Sequence, residues 1–277
     1  VDWINDYLPW LIGIIKSLLK GADAGLAAGP NAVPPLVMVA ILTGLAWWLR
    51  SWQFAVFTAI DMLVIIGMRY KGESLWTLAM DTFALVIVAA VISMLLAVPL
   101  GILAARNEVA SKAIRPVMDF MQTMPAFVYL IPALFFFSIG TPAGLIATIV
   151  FAMPPGVRLT ELGIRQVDPE MVEAGRAFGT KPSTILTRIQ LPLAMPTIMA
   201  GVNQVIMLSL SMVVIGSMVG AGGLGVAVLE GLTRLKVAIG FEGGLAVVIL
   251  AIYLDRLTAA LGDRSAVARA MKATAKA

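Results

Sequence analysis

The chain of 277 residues has no cysteine and no histidine. Without thiols there is no disulfide, no thiolate nucleophile and no cysteine metal site; without imidazole the common zinc ligand sets and histidine acid–base chemistry are excluded too. Charge is also scarce, at 13% of residues against about 25% in an average soluble domain. No Gly-x-x-x-x-Gly-Lys-Ser/Thr loop occurs, so the chain has no phosphate cradle of that type and is not an ATPase by that route. What fills the sequence is apolar, 60% of all residues, in several uninterrupted runs of bilayer length. A soluble core needs no such runs, so the solvent for most of these residues is lipid.

Seven spans are expected, near 34–49, 52–68, 78–103, 117–139, 143–157, 193–219 and 237–254, in an all-α polytopic membrane protein. The basic residues sort by loop. Arg50, Arg106, Lys112, Arg115, Arg158, Arg165, Arg176, Lys181, Arg188, Arg256, Arg264, Arg269, Lys272 and Lys276 fall on one side. Lys16, Lys20, Arg69, Lys71, Arg234 and Lys236 fall on the other. The richer side is the cytoplasm by the positive-inside bias, so the amino terminus is expected outside and the carboxyl terminus inside. Residues 2–20, with Asp2 and Asp6 ahead of the apolar part and no small-residue cleavage pattern, read as a short interfacial helix rather than a signal peptide. Trp47, Trp48, Trp52 and Trp76 sit at span ends, as interfacial anchors do. The basic tail after residue 263 reads as a topology signal, with sensing of anionic lipid as the competing reading. Asp61 lies mid-span, either as a buried polar contact between helices or as part of a transport pathway.

The longest polar stretch between spans, 158–192, has internal punctuation. Asp168-Pro169-Glu170 is a helix start: a capping carboxylate, a proline suited to the first turn, and an acid at the positive end of the dipole. Gly179 is a helix stop and Pro182 opens a second short helix running into Leu191-Pro192. A helix, a tight turn and a second helix are therefore expected at the membrane surface.

Within this stretch stand Glu173-Ala174-Gly175, three residues, Gly179, nine residues, then Ile189-Gln190-Leu191-Pro192. The pattern resembles the signature loop of binding-protein-dependent ABC importer permeases, Glu-Ala-Ala, three residues, Gly, nine residues, Ile-x-Leu-Pro, with Gly175 in place of the second alanine. From Thr77 to Leu261 the chain looks like the glycine betaine and proline betaine branch, most closely at 190–204, at 210–215 and at Gly222-Gly223-Leu224-Gly225. The resemblance implies a type I importer permease fold in a bacterial cytoplasmic membrane, serving osmoprotection. It divides the chain into an amino-terminal part (1–76), a core permease domain (77–262) and a basic cytoplasmic tail (263–277).

The same resemblance implies a homodimer, a cytoplasmic ABC ATPase that holds ATP and Mg, and an external substrate-binding protein; no cofactor is implied in the chain itself, and no nucleic acid partner. It makes Glu173, Ala174, Gly175, Arg176, Gly179, Lys181, Ile189, Leu191 and Pro192 the ATPase-coupling residues. Ala174, Gly175 and Gly179 would let a partner approach closely, while Glu173, Arg176 and Lys181 would offer polar anchors. A surface helix that merely stiffens the loop is the alternative.

A quaternary ammonium has no hydrogen to donate and is held against aromatic faces. Met124, Tyr129 and Phe135 in the fourth span, with Asn203, Gln204, Ser209 and Ser211 in the sixth, are the candidate pathway residues, against a role in helix packing. Gly220-Ala-Gly-Gly-Leu-Gly225 has the form of a dinucleotide fingerprint but follows an apolar span, and reads as a tight external turn. Two rival functions remain: a secondary transporter driven by an ion gradient through Asp61, and a membrane scaffold that recruits a cytoplasmic enzyme through the same loop.

Overall fold

A computed structural model describes residues 34–263. The expected interfacial helix (2–20) and the tail after 263 lie outside the described residues, as do six of the basic residues used for orientation: Lys16, Lys20, Arg264, Arg269, Lys272 and Lys276.

Two short apolar helices come first, α1 (Pro35–Leu49) and α2 (Trp52–Gly67). At about 1.5 Å per residue each is shorter than the roughly 30 Å hydrocarbon core. A two-stranded hairpin follows, β1 (Arg69–Tyr70) and β2 (Glu73–Ser74), an element not anticipated in an all-α reading. Then come α3 (Trp76–Arg106), α4 (Glu108–Thr123), a 3-10 turn (Ala126–Tyr129), α5 (Leu130–Phe137) and α6 (Thr141–Arg165). The chain continues through α7 (Pro169–Ala177), α8 (Pro182–Ile185), a π-turn (Leu186–Gln190), α9 (Leu191–Gly216), α10 (Gly225–Thr233) and α11 (Val237–Asp263).

Among the described residues, four helical stretches are long and apolar enough to cross a membrane: 76–106, 141–165, 182–219 and 237–263. The expected fourth span is not straight. The helices on either side of residues 124–125 meet at 109°, because Pro125 has no N–H for the ladder and disfavours helical backbone at Met124. The seven expected runs thus become four long helices, one bent pair and two short helices.

The described residues divide into two compact units. The first combines those up to Ala89 with Met124–Phe151 and Leu208–Tyr253; the second combines Ala90–Thr123, Ala152–Met207 and the described residues from Leu254. In the first, Tyr129, Leu130 and Ala133 pack with Ala143, Ala147, Met212 and Val219. Its glycine turn at 220–225 takes positive φ at Gly220, Gly222 and Gly223, and the Leu224 N–H donates to Thr82 Oγ1 at 2.8 Å. A Cβ at Gly223 would lie 2.5 Å from that hydroxyl, so glycine is required there. In the second unit, Ile164, Val167, Leu186, Ala194 and Ile198 form one core and Ala97, Met118 and Val157 another. Trp47, Trp48 and Trp52 are exposed, as anchors in lipid would be, whereas Trp76 is 3% exposed and belongs to the core. Asp61 is half-buried and its carboxylate has no partner among the described residues.

Candidate functional site: the elbow between α6 and α9

The helix α7 starts where the sequence punctuation puts it. The Asp168 side chain accepts from the Glu170 N–H at 2.9 Å, and Pro169 occupies the first turn. Such a cap is worth about 1 kcal/mol. The helix ends in a Schellman motif: the Gly179 N–H donates to Arg176 O (2.9 Å), the Thr180 N–H donates to Gly175 O (3.1 Å), and Gly179 takes φ +71°. Lys181 then caps α8, whose Pro182 occupies its first turn.

Between α8 and α9 the helix widens. The Leu191 N–H reaches back to Leu186 O, five residues away. Pro192, one residue on, has no N–H to donate to the Arg188 carbonyl, and a widened turn beside such a gap is a common accommodation.

Glu173, Ala174, Arg176, Gly179, Lys181 and Pro192 are exposed; Ile189 and Leu191 are half-buried. Gly175 is buried: a Cβ there would meet Ile189 Cδ1 at 3.0 Å and Ile185 Cγ1 at 3.4 Å. Its small size therefore brings α7 down onto the second arm of the elbow, and it is not open to a partner as Ala174 and Gly179 are. A feature missing from the motif reading is Phe178, 88% exposed at the end of α7. With Met171 (51% exposed) and Ala174 it recurs at i, i+3, i+7, an apolar face turned to solvent. The signal was present in the sequence, a phenylalanine immediately before the stop glycine.

Directly ahead of the elbow, α6 is pinned to α4 by an ion network centred on Glu161, whose side chain is 5% exposed. Ser111 Oγ donates to Glu161 Oε1 (2.7 Å), Arg115 Nη2 donates to the same oxygen (2.8 Å), and Arg165 Nε lies 3.0 Å from it. Arg165 also pairs with Glu108, and Arg158 with Asp119. In sequence Arg115, Arg158 and Arg165 are legible only as topology signals, because apart from the i,i+4 contact of Arg165 with Glu161 their acidic partners lie 39 to 57 positions away along the chain.

The candidate pathway residues have different surroundings, with Met124, Tyr129, Phe135, Ser209 and Ser211 in the first unit and Asn203 and Gln204 in the second. Met124 and Tyr129 belong to the core around Met212, with Tyr129 edge-on to Phe151 at 5.6 Å. Phe135 is 83% exposed and touches Phe136 edge-on. Asn203 is engaged by α11: its Nδ2 donates to Asp255 Oδ1 (2.8 Å) and its Oδ1 accepts from Thr258 Oγ1 (2.8 Å). Ser209 is fully buried, its Oγ without a partner among the described residues. Gln204 and Ser211, seven residues apart, share the exposed face of α9.

A third constellation holds the β-hairpin to α10. Tyr70 Oη donates to Glu230 Oε2 at 2.5 Å, Lys71 Nζ lies 3.2 Å from the same oxygen, and Arg234 Nη1 lies 3.1 Å from Oε1. The Tyr70 hydrogen bond, with the ammonium of Lys71, holds the Glu230 carboxyl down at about 2 despite the opposing effect of burial.

Comparison with known proteins gives a consistent result. The family model described as "Binding-protein-dependent transport system inner membrane component" matches residues 97–267. The glycine betaine transport system permease protein OpuAB of Bacillus subtilis is 44% identical over 264 residues, spanning 93% of this chain and 92% of that protein. The glycine betaine/proline betaine permease protein ProW of Escherichia coli is 43% identical over 271 residues, spanning 95% and 75%. Among solved structures, a chain of the MetNI methionine ABC transporter in an inward-facing conformation superposes with a TM-score of 0.60 at 23% identity. It covers 69% of this chain and 92% of that one, a likeness of fold.

Proposed function

The chain belongs to the binding-protein-dependent transport system inner membrane components, and from that premise we propose that it is the permease subunit of an ATP-driven importer for glycine betaine or a closely related osmolyte. The observation that carries the reading is the elbow: a capped surface helix, a glycine stop and an apolar face of Met171, Ala174 and Phe178 turned to solvent. An exposed apolar face of three residues, rather than one scattered side chain, is what a contact surface presents.

In this reading the elbow faces the cytoplasm and a partner ATPase, which holds ATP and Mg, docks on it. Met171, Ala174 and Phe178 supply apolar contact; Glu173, Arg176 and Lys181 supply polar anchors. Gly175, Gly179, Ile189, Leu191 and Pro192 keep the two arms at a fixed angle. Because α6 enters the elbow and α9 leaves it, displacement of α7 is delivered to two spans at once. The Glu161 network carries α4 along with α6. Two copies of the chain enclose the path, Gln204 and Ser211 face it, and an external binding protein delivers the cargo. The amino terminus lies outside and the carboxyl terminus inside.

The substrate class follows from the relatives. Their names include glycine betaine, carnitine and trimethylamine N-oxide, all with a fully alkylated nitrogen. Vesicles reconstituted with the chain, its cognate ATPase and binding protein are expected to accumulate radiolabelled glycine betaine only with internal ATP and external binding protein. Uptake without ATP, or uptake driven by an ion gradient and abolished by Asp61→Asn, would refute the proposal.

A further inference from the structure

Behind the elbow lies a cavity of about 300 Å³, of whose lining the import reading uses only Arg176. Its lining includes Arg106, Arg176 and Gln190 over a floor of Ile164, Val172 and Ile185. Arg106 is the last residue of α3, Ile164 is one residue from the end of α6, and Gln190 directly precedes α9. Three span ends meet there, which places the cavity at the edge of the hydrocarbon core, the depth of lipid phosphates.

Among the described residues no carboxylate lines this cavity, and neither the Arg106 nor the Arg176 side chain has an acidic partner. The contrast with the neighbouring cavity of about 350 Å³ is informative. That one is lined by Arg115, Arg158 and Arg165 together with Asp119 and Glu161, and every arginine in it is paired within the protein. The two cavities thus differ in that one brings acids to its arginines and the other does not.

We infer that this cavity binds a phosphate monoanion or diester, with Arg106 and Arg176 as its two guanidinium clamps and the Gln190 amide as a further donor. Guanidinium matches phosphate oxygens in pairs, and basic pockets between span ends are where anionic headgroups settle. The isoleucine and valine floor suits the glycerol and first methylenes of a phospholipid; free phosphate would use the polar rim alone. The site does not depend on the import reading. Its consequence does: a phosphate held between α3 and α7 would tie the elbow to a span.

The test uses the complex of the chain with its cognate ATPase, stripped of lipid in detergent and titrated separately with phosphatidylglycerol, phosphatidylcholine and inorganic phosphate, with occupancy read by native mass spectrometry. Phosphatidylglycerol is expected to be retained at one per chain with affinity about tenfold above phosphatidylcholine. Arg106→Gln should remove that preference, Arg106→Lys should keep part of it, and Lys112→Gln, outside the cavity, should leave it intact. Competition by inorganic phosphate alone would assign the site to the free anion, and indifference to it would assign the site to the lipid headgroup. Equal retention of the two lipids, or an Arg106→Gln complex with unchanged preference, would overturn the inference. So would an Arg106→Gln chain that loses its ATPase while its lipid binding is unaltered, since Arg106 would then be a protein contact. Absence of ATP-driven uptake by the unmodified complex, with its lipid preference intact, would count against the import reading and leave the site standing.

Discussion

Replacing Gly179 tests whether the elbow's angle depends on one left-handed residue. At φ +71° an L side chain costs about 1–2 kcal/mol. The space around the missing Cβ is open, with no atom within 4 Å, so the penalty is backbone strain without any clash. Gly179→Ala should therefore weaken the turn by that amount, raising its open population about 5–30-fold. Gly179→Asn should cost less, because asparagine visits this region, and Gly179→Val should cost more. Hydrogen exchange in the reconstituted complex reads this at two amides, Gly179 N–H on Arg176 O and Thr180 N–H on Gly175 O. For a variant at 179 the comparison rests on Thr180. The order of protection should be Gly, Asn, Ala, Val, with uptake per ATP hydrolysed falling in the same order. Alanine as well protected as glycine, or asparagine as poorly protected as valine, would refute the strain argument.

Other perturbations address the frame around the elbow. Gly101→Ala places a Cβ 2.6 Å from Thr160 Cβ and 2.7 Å from Val157 O, so α3 cannot keep its place on α6. A loss of about 1–3 kcal/mol is expected as a lower melting temperature in detergent, while Gly44→Ala, with open space around it, should not lower it. Glu161→Gln leaves Arg115 and Arg165 without their shared carboxylate. Because Arg115 is 58% exposed, solvent limits the loss to about 1–2 kcal/mol, and a double-mutant cycle with Arg165→Gln should show coupling, not additivity. The hairpin should respond to acid in a defined window. Glu230 is depressed to about 2 from 4.5 in the folded state, so its contribution is complete above about 4.5 and disappears as pH falls toward 2. Tyr70→Phe removes the main cause and should shift that loss to higher pH, measured as exchange at the hairpin amides.

The parts legible from sequence are those whose cause is local. Asp168-Pro169-Glu170 and Gly179 each act on backbone within a few residues, and their cap and turn stand where the pattern puts them. The apolar runs likewise announce their helices, since lipid leaves a span no other hydrogen-bonding solution. What sequence could not supply was partnership across distance. Glu161 and Ser111 are 50 positions apart, Tyr70 and Glu230 160 apart, and nothing in either neighbourhood marks the match. The partners of Asn203, Asp255 and Thr258, stand 52 and 55 positions along the chain. Gly175 looks in sequence like an opening for a partner, because composition says that a residue is small but not which side of a helix needs the space. Pro125 signalled a break in the fourth span; its 109° angle depends on packing beyond the proline.

Import as proposed requires force to enter through α7. Since the chain contains no cysteine, Phe178→Cys creates a single thiol at the most exposed apolar point of the elbow. In vesicles carrying the cognate ATPase, a bifunctional thiol reagent should join that position to the ATPase subunit, with a yield that changes between ATP-bound and nucleotide-free states, while impermeant reagents added outside leave it unlabelled. Labelling of residue 178 from outside, or a complex that hydrolyses ATP and imports betaine with no cross-link to the ATPase, would contradict it.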